Sequence, residues 1–509
     1  MSADIGAATL GWRSSDEYQA RAARSSWILG ASAVALAGLF AVVVVQSDGD
    51  LRLVAPLVAV LAGAAIVAHP IVGVFLLFGA ALVLEQYPIL GIEPLTAQTR
   101  FFQNLSAYTA VPLRLSIADL LTLLTIGSCA RRCATARIPF RTGPFGQAIA
   151  LYGAAFLIGT AIGAARGGAW DPDTALAELR GPLYLCASYF IAVNLLRDRA
   201  HLVALMWTFV VIVGAKSLQG IFNYQVALGL PYGVDAVTSH EDVVFFDAVV
   251  VLALLAVILG LRSRLTYALL AVQPAILLAE LLTQRRVAFI ALGAALVAVA
   301  MLIFAVAPRR ALLVVAAGIV ALGMYLAVFA EDTGPLGEPV RAIRSVVDPS
   351  SVNYRDQLSN AWRDIEDRNI QYTVQQLPLT GVGVGQEYLF REEPSTLWGF
   401  TYWRYMTHNA VLWLWLKAGP LGAFALWFLA ARVILLSTRW SVRLRDGWLR
   451  WAAAFPVVLL ICQIVFSSVD LGLTYSRPMI VLGTVLGIGA FLAAQPQGIA
   501  NGAAKETRA

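Results

Sequence analysis

The chain has 509 residues, of which 59% are hydrophobic and only 13% are charged. Soluble domains carry about 25% charged residues, so a soluble chain of this composition would lack the charge to cover its surface. The composition therefore excludes an ordinary cytosolic enzyme, a disordered protein and a disulfide-stabilised secreted domain, and it predicts an all-α polytopic membrane protein. The net charge of +6 does not indicate nucleic-acid binding, because the basic residues lie in short clusters between apolar segments.

The distribution of apolar residues predicts the domain organisation. Residues 1–26 are polar and lead into an apolar segment without a cleavage site, which predicts a cytoplasmic tail before an uncleaved anchor. A helix needs about 20 apolar residues to cross the hydrocarbon core of a membrane. This rule predicts about 12–14 transmembrane helices, eleven within 27–330 and three within 408–495, followed by a cytoplasmic tail at 496–509. The predicted spans lie near 27–45, 51–68, 70–86, 115–130, 147–165, 181–196, 202–221, 243–261, 265–283, 287–307, 311–330, 409–437, 451–469 and 478–495.

The basic clusters predict the orientation of these spans. If the N-terminus is cytoplasmic, the cytoplasmic segments hold 19 Lys and Arg residues, whereas the short loops on the other face hold eight. Lys and Arg are retained on the cytoplasmic side of membranes, so both termini are expected to be cytoplasmic. The four cysteines lack the spacing of a metal site or a disulfide framework, and we expect neither.

One polar connection, 331–407, is 77 residues long and falls on the external face in this topology. Connections of this length usually have a function. Within it, 353–377 has the charge pattern of a helix that Pro378 ends, and the glycine-rich 381–385 that follows predicts a flexible turn whose backbone passes close to a helix or a ligand. The aromatic residues at 398–405 are typical of an interfacial belt, and they could also stack on sugar rings.

Histidines and arginines on the external face are the candidate chemical groups. His408 begins the twelfth span, where a titratable group is well placed for acid–base chemistry or for a polar anchor. His240 lies in another external loop and is either solvated or functional. The external arginines have two alternative roles. Their guanidinium groups either bind a diphosphate through two parallel hydrogen bonds or form salt bridges with the eleven acidic residues of the long loop. The external arginines considered are Arg285, Arg286, Arg355, Arg363, Arg368 and Arg477.

Three short motifs in this region resemble the O-antigen ligase and polymerase superfamily. They are Pro378-Leu379-Thr380-Gly381-Val382-Gly383, Thr407-His408-Asn409 and Gly419-Pro420-Leu421-Gly422. The resemblance is strongest over 353–437 and extends more weakly to Thr283-Gln284-Arg285-Arg286, where the family often has Ser-Arg at the end of a span. The chain departs from the family in having Arg285 where Ser is common, and in two spans beyond the usual twelve.

The resemblance implies a glycosyltransferase of the bacterial inner membrane. Such an enzyme moves a glycan from an undecaprenyl diphosphate carrier to an acceptor sugar hydroxyl on the outer face, with inversion and without a metal or another cofactor. In this reading His408 matches the histidine that activates the acceptor, Arg286 matches the arginine that binds the diphosphate, and Arg363, with Arg355 as a rival, matches the arginine of the loop helix. The expected substrate-binding residues are Arg285, Arg286, Arg355, Arg363, Arg368, Asn409 and Arg477.

Two questions stay open at the level of the sequence. A polymerase would use a second carrier-linked glycan as acceptor, with a chain-length regulator as a further partner, and a ligase would use a terminal acceptor such as a lipid A core; the additional spans favour a polymerase slightly. The alternative class is a flippase for lipid-linked oligosaccharides. The enzyme is favoured because few acidic residues lie in the spans and the polar groups gather at one face.

Overall fold

The computed structural model describes residues 54–83, 100–228, 237–348, 354–397 and 399–496, with a few isolated positions between 35 and 46. The predicted N-terminal tail, nearly all of the first predicted span and residues 497–509 lie outside this part of the chain. Regular structure in the described residues is helical, apart from one isolated β-bridge between Asn104 and Ser116. The predicted all-α fold class is therefore confirmed.

Fifteen α-helices lie within the described residues. They are α1 (Val54–Ala68), α2 (Ile71–Val83), α3 (Ile117–Thr135), α4 (Gly146–Arg166), α5 (Pro172–Leu195), α6 (Arg199–Leu228), α7 (Asp242–Ile258), α8 (Arg264–Leu282), α9 (Arg286–Val306), α10 (Pro308–Val328), α11 (Glu338–Val347), α12 (Tyr354–Gln376), α13 (Ala410–Arg443), α14 (Gly447–Ser467) and α15 (Ser476–Ala493). The chain forms two compact units, Met1–Ala68, which contains α1, and His69–Ala509, which contains the other helices.

Eight of these helices are long and apolar enough to cross a membrane, namely α4, α6, α8, α9, α10, α13, α14 and α15. Shorter apolar helices occur at α1 and α2, and α3, α5 and α7 coincide with further predicted spans. Each predicted span within the described residues thus contains a helix. The chain is a polytopic membrane protein, and the number of crossings beyond these eight helices stays a prediction.

Glycines allow several of the helices to approach closely. On α15, a Cβ atom at Gly483 would lie 2.5 Å from the Leu185 carbonyl oxygen of α5, and one at Gly487 would lie 2.3 Å from Ala192. Since lipid tails are as apolar as Leu side chains, helices in membranes gain stability from such close packing. The sequence spacing Gly-x-x-x-Gly therefore joins α15 to α5.

Residues 381–385, here called the glycine strap, are buried between α4 and α13. All three glycines of the strap have positive φ. Gly163 of α4 has space only for hydrogen, because a Cβ there would lie 2.2 Å from the Val384 carbonyl oxygen. The predicted close approach to a helix is confirmed. The predicted flexibility is wrong, because the strap is enclosed and bonded on both sides: the Val382 N–H donates to Leu416 O at 2.8 Å and the Val384 N–H to Gly159 O at 3.0 Å.

A buried ion pair fixes the end of the glycine strap. Lys417 of α13 lies 2.9 Å from Glu178 of α5, and both side chains are fully buried. The second carboxylate oxygen of Glu178 accepts the Gly385 N–H at 2.6 Å. The kink of α13 at Gly419 (φ 62°, ψ −162°) leaves room for the backbone that precedes the strap, since a Cβ there would lie 2.6 Å from Leu379 O. These contacts fix the glycine strap against α5 and α13.

Candidate active site

His408 lies where the long loop meets α13, and it contacts Glu366 of α12. The backbone N–H of His408 donates to Glu366 Oε2 at 2.8 Å, and its ring Nδ1 lies 3.3 Å from the same carboxylate. The Glu366 side chain is 1% exposed and that of His408 is 22% exposed. Because a carboxylate only accepts hydrogen bonds, Nδ1 of the neutral ring carries the hydrogen and Nε2 keeps its lone pair. The contact therefore leaves His408 as a proton acceptor at Nε2.

An open pocket of about 520 Å³ adjoins His408. Most of its wall is one face of α12, since residues three or four apart along a helix lie on the same side. The Trp362 ring packs edge-on against the His408 ring, with 5.1 Å between centroids, and the Trp362 Nε1–H donates to Ser395 O at 2.9 Å. The lining residues are Leu358, Ser359, Ala361, Trp362, Arg363, Ile365, Ser395, Leu397 and His408.

Two of the predicted arginines lie beside this pocket. Arg363 is part of its lining. Arg286, the first residue of α9, donates from Nη2 to Asn360 Oδ1 at 3.4 Å, and Asn360 precedes Arg363 by three residues on α12. The structure thus brings Arg286 to α12 about one turn before Arg363, which lines the pocket together with His408.

The adjacent Arg285 belongs to a second group of polar side chains with His240 and Asp470. The Arg285 guanidinium contacts His240 Nε2, and His240 Nδ1 lies 3.5 Å from Asp470. Burial alone would raise the pKa of Asp470, but the hydrogen bond and charge of His240, together with Arg285 and His408, bring that pKa well below its ordinary value. Because His408 also acts on Asp470, this carboxylate electrostatically links the two groups.

Asn409 connects α12 to the start of α13. Its Oδ1 accepts the Leu412 N–H at 3.1 Å and caps α13, while its Nδ2 contacts Asp367 Oδ1 at 3.4 Å. Burial, followed by the neighbouring charge of Glu366, raises the pKa of Asp367 above its ordinary value. These contacts give Asn409 a part in orienting the backbone next to His408.

Arg477 lies in a buried ionic network. Its side chain is 2% exposed and donates to Glu241 at 3.0 Å, to Asp242 at 2.6 Å and to the carbonyl oxygens of Ala81 and Leu82. Its guanidinium joins the start of α7 to the end of α2. It is not among the residues that line the pocket, so its contacts indicate support for the His240 loop.

Arg368 is not among the residues that line the pocket. Arg368 forms an exposed ion pair with Glu392 at 2.8 Å, which is the salt bridging considered as the alternative for these residues. Arg355 belongs to the first turn of α12, and its side chain lies outside the described part of the structure.

The carboxylates of this site are not distinguishable from the sequence alone. Glu366 is one of eleven acidic residues in the long loop, and its contact with His408 spans 42 residues of sequence. Asp470 gave no signal, because it stands alone between two spans. His240 was noted as a candidate, and its neighbours Glu241 and Asp242 were the available hint that its loop is held by charge.

One known family matches the part of the chain that contains this site. A family model described as O-Antigen ligase matches residues 275–428, which run from α8 through the long loop into α13. No curated protein gives a significant match. The matched segment contains Arg285, Arg286, the whole of α12 and His408, and it covers the motifs on which the resemblance rested. Residues 275–428 of this membrane protein are similar to the O-antigen ligase family, and this match supports membership of the chain in the O-antigen ligase and polymerase superfamily.

Proposed function

We propose that the protein transfers a glycan from undecaprenyl diphosphate to the hydroxyl of an acceptor sugar, with His408 as general base. The observation that carries this proposal is the His408–Glu366 pair at the wall of a pocket that also contains Arg363. A base needs a free lone pair within reach of the hydroxyl, and the Glu366 contact leaves that lone pair on Nε2. Membership of the superfamily supports this class of reaction.

In the proposed reaction one bond forms, one bond breaks and one proton is transferred. The acceptor hydroxyl gives its proton to His408 Nε2, and its oxygen forms a bond to the anomeric carbon. The bond from that carbon to the diphosphate oxygen breaks at the same time, and the electron pair leaves with the diphosphate. Attack from the opposite side inverts the anomeric carbon. Glu366 stabilises the imidazolium by its buried negative charge.

The diphosphate is the expected ligand of Arg286 and Arg363, because a guanidinium forms two parallel hydrogen bonds with phosphate oxygens and stays charged at any working pH. Positive charge also stabilises the leaving group as its bond breaks. Arg285, held by His240, adds a third cation beside Arg286. No metal or nucleotide sugar is needed for this chemistry, since the diphosphate is a good leaving group by itself.

The acceptor distinguishes two forms of this function. A polymerase would extend a second carrier-linked glycan, and a ligase would attach the glycan to a terminal acceptor. The additional spans found by sequence reasoning favour a polymerase slightly, and a chain-length regulator would then be a partner. Both forms imply work on the outer face of the inner membrane with cytoplasmic termini.

A flippase is the second candidate, and one observation favours it. Asp247 and Glu280 are buried in the helical bundle, and buried carboxylates are common in transporters. The two functions differ in where the lipid-linked glycan accumulates when the protein fails. Loss of an external transferase leaves it on the outer face, and loss of a flippase leaves it on the cytoplasmic face.

His408→Ala tests the proposal in cells that lack the wild-type gene. We expect carrier-linked glycan to accumulate on the outer face at unchanged protein level, and polymer or conjugate to disappear. His201→Ala is the matched control, because His201 lies at the start of α6 beside Asp198, outside the pocket. Normal glycan length and attachment in His408→Ala would refute the role of His408, and accumulation on the cytoplasmic face would favour the flippase.

A second set of variants tests whether Arg286 and Arg363 bind the diphosphate of the donor. Arg286→Ala and Arg363→Ala should raise the donor KM, and the Lys variants should recover activity only in part, because an ammonium group lacks the two-pronged geometry. Arg439→Ala, an exposed change near the opposite end of α13, is the control. An unchanged donor KM in both Ala variants would exclude these arginines from the diphosphate site.

A further inference from the structure

Two carboxylic acids face each other inside the helical bundle, apart from the pocket. Asp247 of α7 is 0% exposed and Glu280 of α8 is 1% exposed. The two carboxyl groups interact with each other where α7 packs against α8, and they are here called the acid pair. Their four carboxylate oxygens are inaccessible to solvent, and no N–H or O–H donor in the described part of the chain reaches them.

The acid pair lies beneath the second polar group of the candidate active site. Helices α7 and α8 are neighbours that run in opposite directions, and they are joined at two levels. Near one end, His240, just before α7, contacts Arg285, just after α8. The acid pair joins the same two helices five residues into α7, which is about 7.5 Å beyond the first residue of that helix at 1.5 Å per residue.

A hydrogen bond within the acid pair requires a proton. Ionised carboxylates only accept hydrogen bonds, so two of them in contact repel each other unless one oxygen carries hydrogen. Burial away from water adds a large cost to each negative charge, and a second adjacent charge increases it. A single shared proton removes one charge and supplies the missing donor.

Within the described residues, no Lys or Arg side chain donates a hydrogen bond to the four oxygens of the acid pair. On α14, Cys462 interacts electrostatically with both carboxyl groups, and it is a weak acid itself. On α6, Lys216 lies 3.5 Å from Asp242, which is the first residue of α7. On α9, Arg286 donates to Asn360. Among these described groups, the carboxyl groups of the acid pair interact with each other and with the Cys462 thiol.

We propose that the acid pair is a proton-binding site, which holds one proton from water between Asp247 and Glu280 and thereby joins α7 to α8 beneath the His240–Arg285 contact. When the proton returns to water at alkaline pH, the two carboxylates repel each other and the helices separate at this level. The contact that orients Arg285 then weakens. This last step rests on the proposed function, in which Arg285 lies beside the diphosphate, whereas proton binding itself does not.

Infrared difference spectroscopy of the purified protein in lipid nanodiscs tests proton binding without any substrate. At neutral pH the wild type should show the C=O stretch of a buried protonated carboxylic acid, and this band should disappear on titration to alkaline pH. Asp247→Asn and Glu280→Gln should each lose the band, because the new amide donates N–H to the remaining carboxylate. Asp198→Asn, a change of an exposed carboxylate, is the control and should retain it.

The infrared results distinguish a proton from a metal cation as the occupant of the acid pair. No protonated-acid band assigned to the pair at neutral pH, or a band that persists in both single variants, would overturn the proposal. A band that appears only after sodium or potassium is removed would show that a cation occupies the site instead, and it would overturn the proposal as well.

Thermal unfolding provides the link to α7 and α8. The double variant Asp247→Asn, Glu280→Gln keeps a hydrogen bond that does not titrate, so its Tm should fall less than that of the wild type between neutral pH and about pH 10. Glycan transfer by the double variant should likewise lose less activity at alkaline pH. Equal Tm profiles would overturn the role of the proton in joining the helices. Loss of transfer in His408→Ala has no bearing on the infrared band, so failure of the proposed function is distinguishable from failure of this inference.

Discussion

Glu366→Gln isolates the contribution of the buried carboxylate to proton transfer at His408. The substitution preserves the size of the side chain and removes its charge. The new amide N–H donates to Nδ1, which favours the ring form with hydrogen on Nε2, where the proposed mechanism needs a lone pair. The variant should therefore fold and bind donor, and yet transfer slowly.

The expected loss follows from the geometry. Opposite unit charges 3.3 Å apart attract each other by about 5 kcal/mol at an effective dielectric constant near 20. His408 is 22% exposed, and solvent screening reduces the attraction to about 2–3 kcal/mol. Because the imidazolium forms only as the proton is transferred, this loss falls on kcat, which should decrease about 100-fold with little change in KM.

The assay is the initial rate of glycan transfer by purified protein, measured against donor concentration and pH. Glu331→Gln, which neutralises an exposed carboxylate of the same loop, is the matched control. Thermal unfolding of the two variants detects any loss of fold. A kcat of Glu366→Gln within about threefold of the wild type, with an unchanged pH profile, would refute the assignment of Glu366 as the positioning residue of His408.

Two other predictions concern stability. Gly163→Ala should lower the free energy of unfolding by about 2–3 kcal/mol, because its methyl group would lie 2.2 Å from a carbonyl oxygen of the glycine strap. The control, Gly127→Ala on α3, meets no atom within 4 Å and should have little effect. Equal Tm values for both variants would contradict the tight packing of the strap. Asp470→Asn should lower Tm at about pH 5, because the pKa of Asp470 is lowered in the folded state. Its stabilisation is therefore present above the ordinary pKa of an Asp and is lost as pH falls through the lower folded value. An unchanged Tm at about pH 5 would contradict the ionised state of Asp470.

The helices were accessible to sequence reasoning because a span depends on a continuous apolar length, which is local information. The helix α12 was equally local, since charge pattern and Pro378 bounded it, and the structure begins and ends it at Tyr354 and Gln376. His408 could be singled out because it stands at a boundary between polar and apolar sequence. Each of these predictions used residues that are adjacent in the chain.

The partners of these groups were not accessible in the same way. Glu366 and Asp470 are selected by tertiary contacts with histidines that lie far away in the sequence, and no spacing rule connects them. Arg477 illustrates the opposite problem. Its position at the start of a span suggested a ligand, but packing places Glu241 and Asp242 against it, so its charge is neutralised within the protein.

The candidate site is built from helix ends rather than from helix interiors. His240 precedes α7, Arg285 precedes α9 and Arg286 begins it. His408 precedes α13, and Asp470 lies between α14 and α15. Charges near the ends of membrane helices cost less than charges at their centres, and they lie at the depth of lipid headgroups. A lipid diphosphate places its charge at this same depth, with its chain in the hydrocarbon. The helix ends therefore suit the donor, which is common to polymerases and ligases.

Under the proposed function, the acceptor sugar lies on the water side of the lipid headgroups even when it is attached to a lipid, so we expect the loop to recognise it. The pocket wall formed by α12 includes Leu358, whose side chain is 54% exposed. Leu358→Trp should fill part of the pocket and raise the KM for the acceptor severalfold, while the KM for the donor, bound at Arg286, stays unchanged. Leu336→Trp, at an exposed position before α11, is the control. Initial rates with both substrates varied provide the measurement. If the donor KM rose instead, the pocket beside His408 would bind the transferred glycan, and acceptor choice would have to reside elsewhere on the loop.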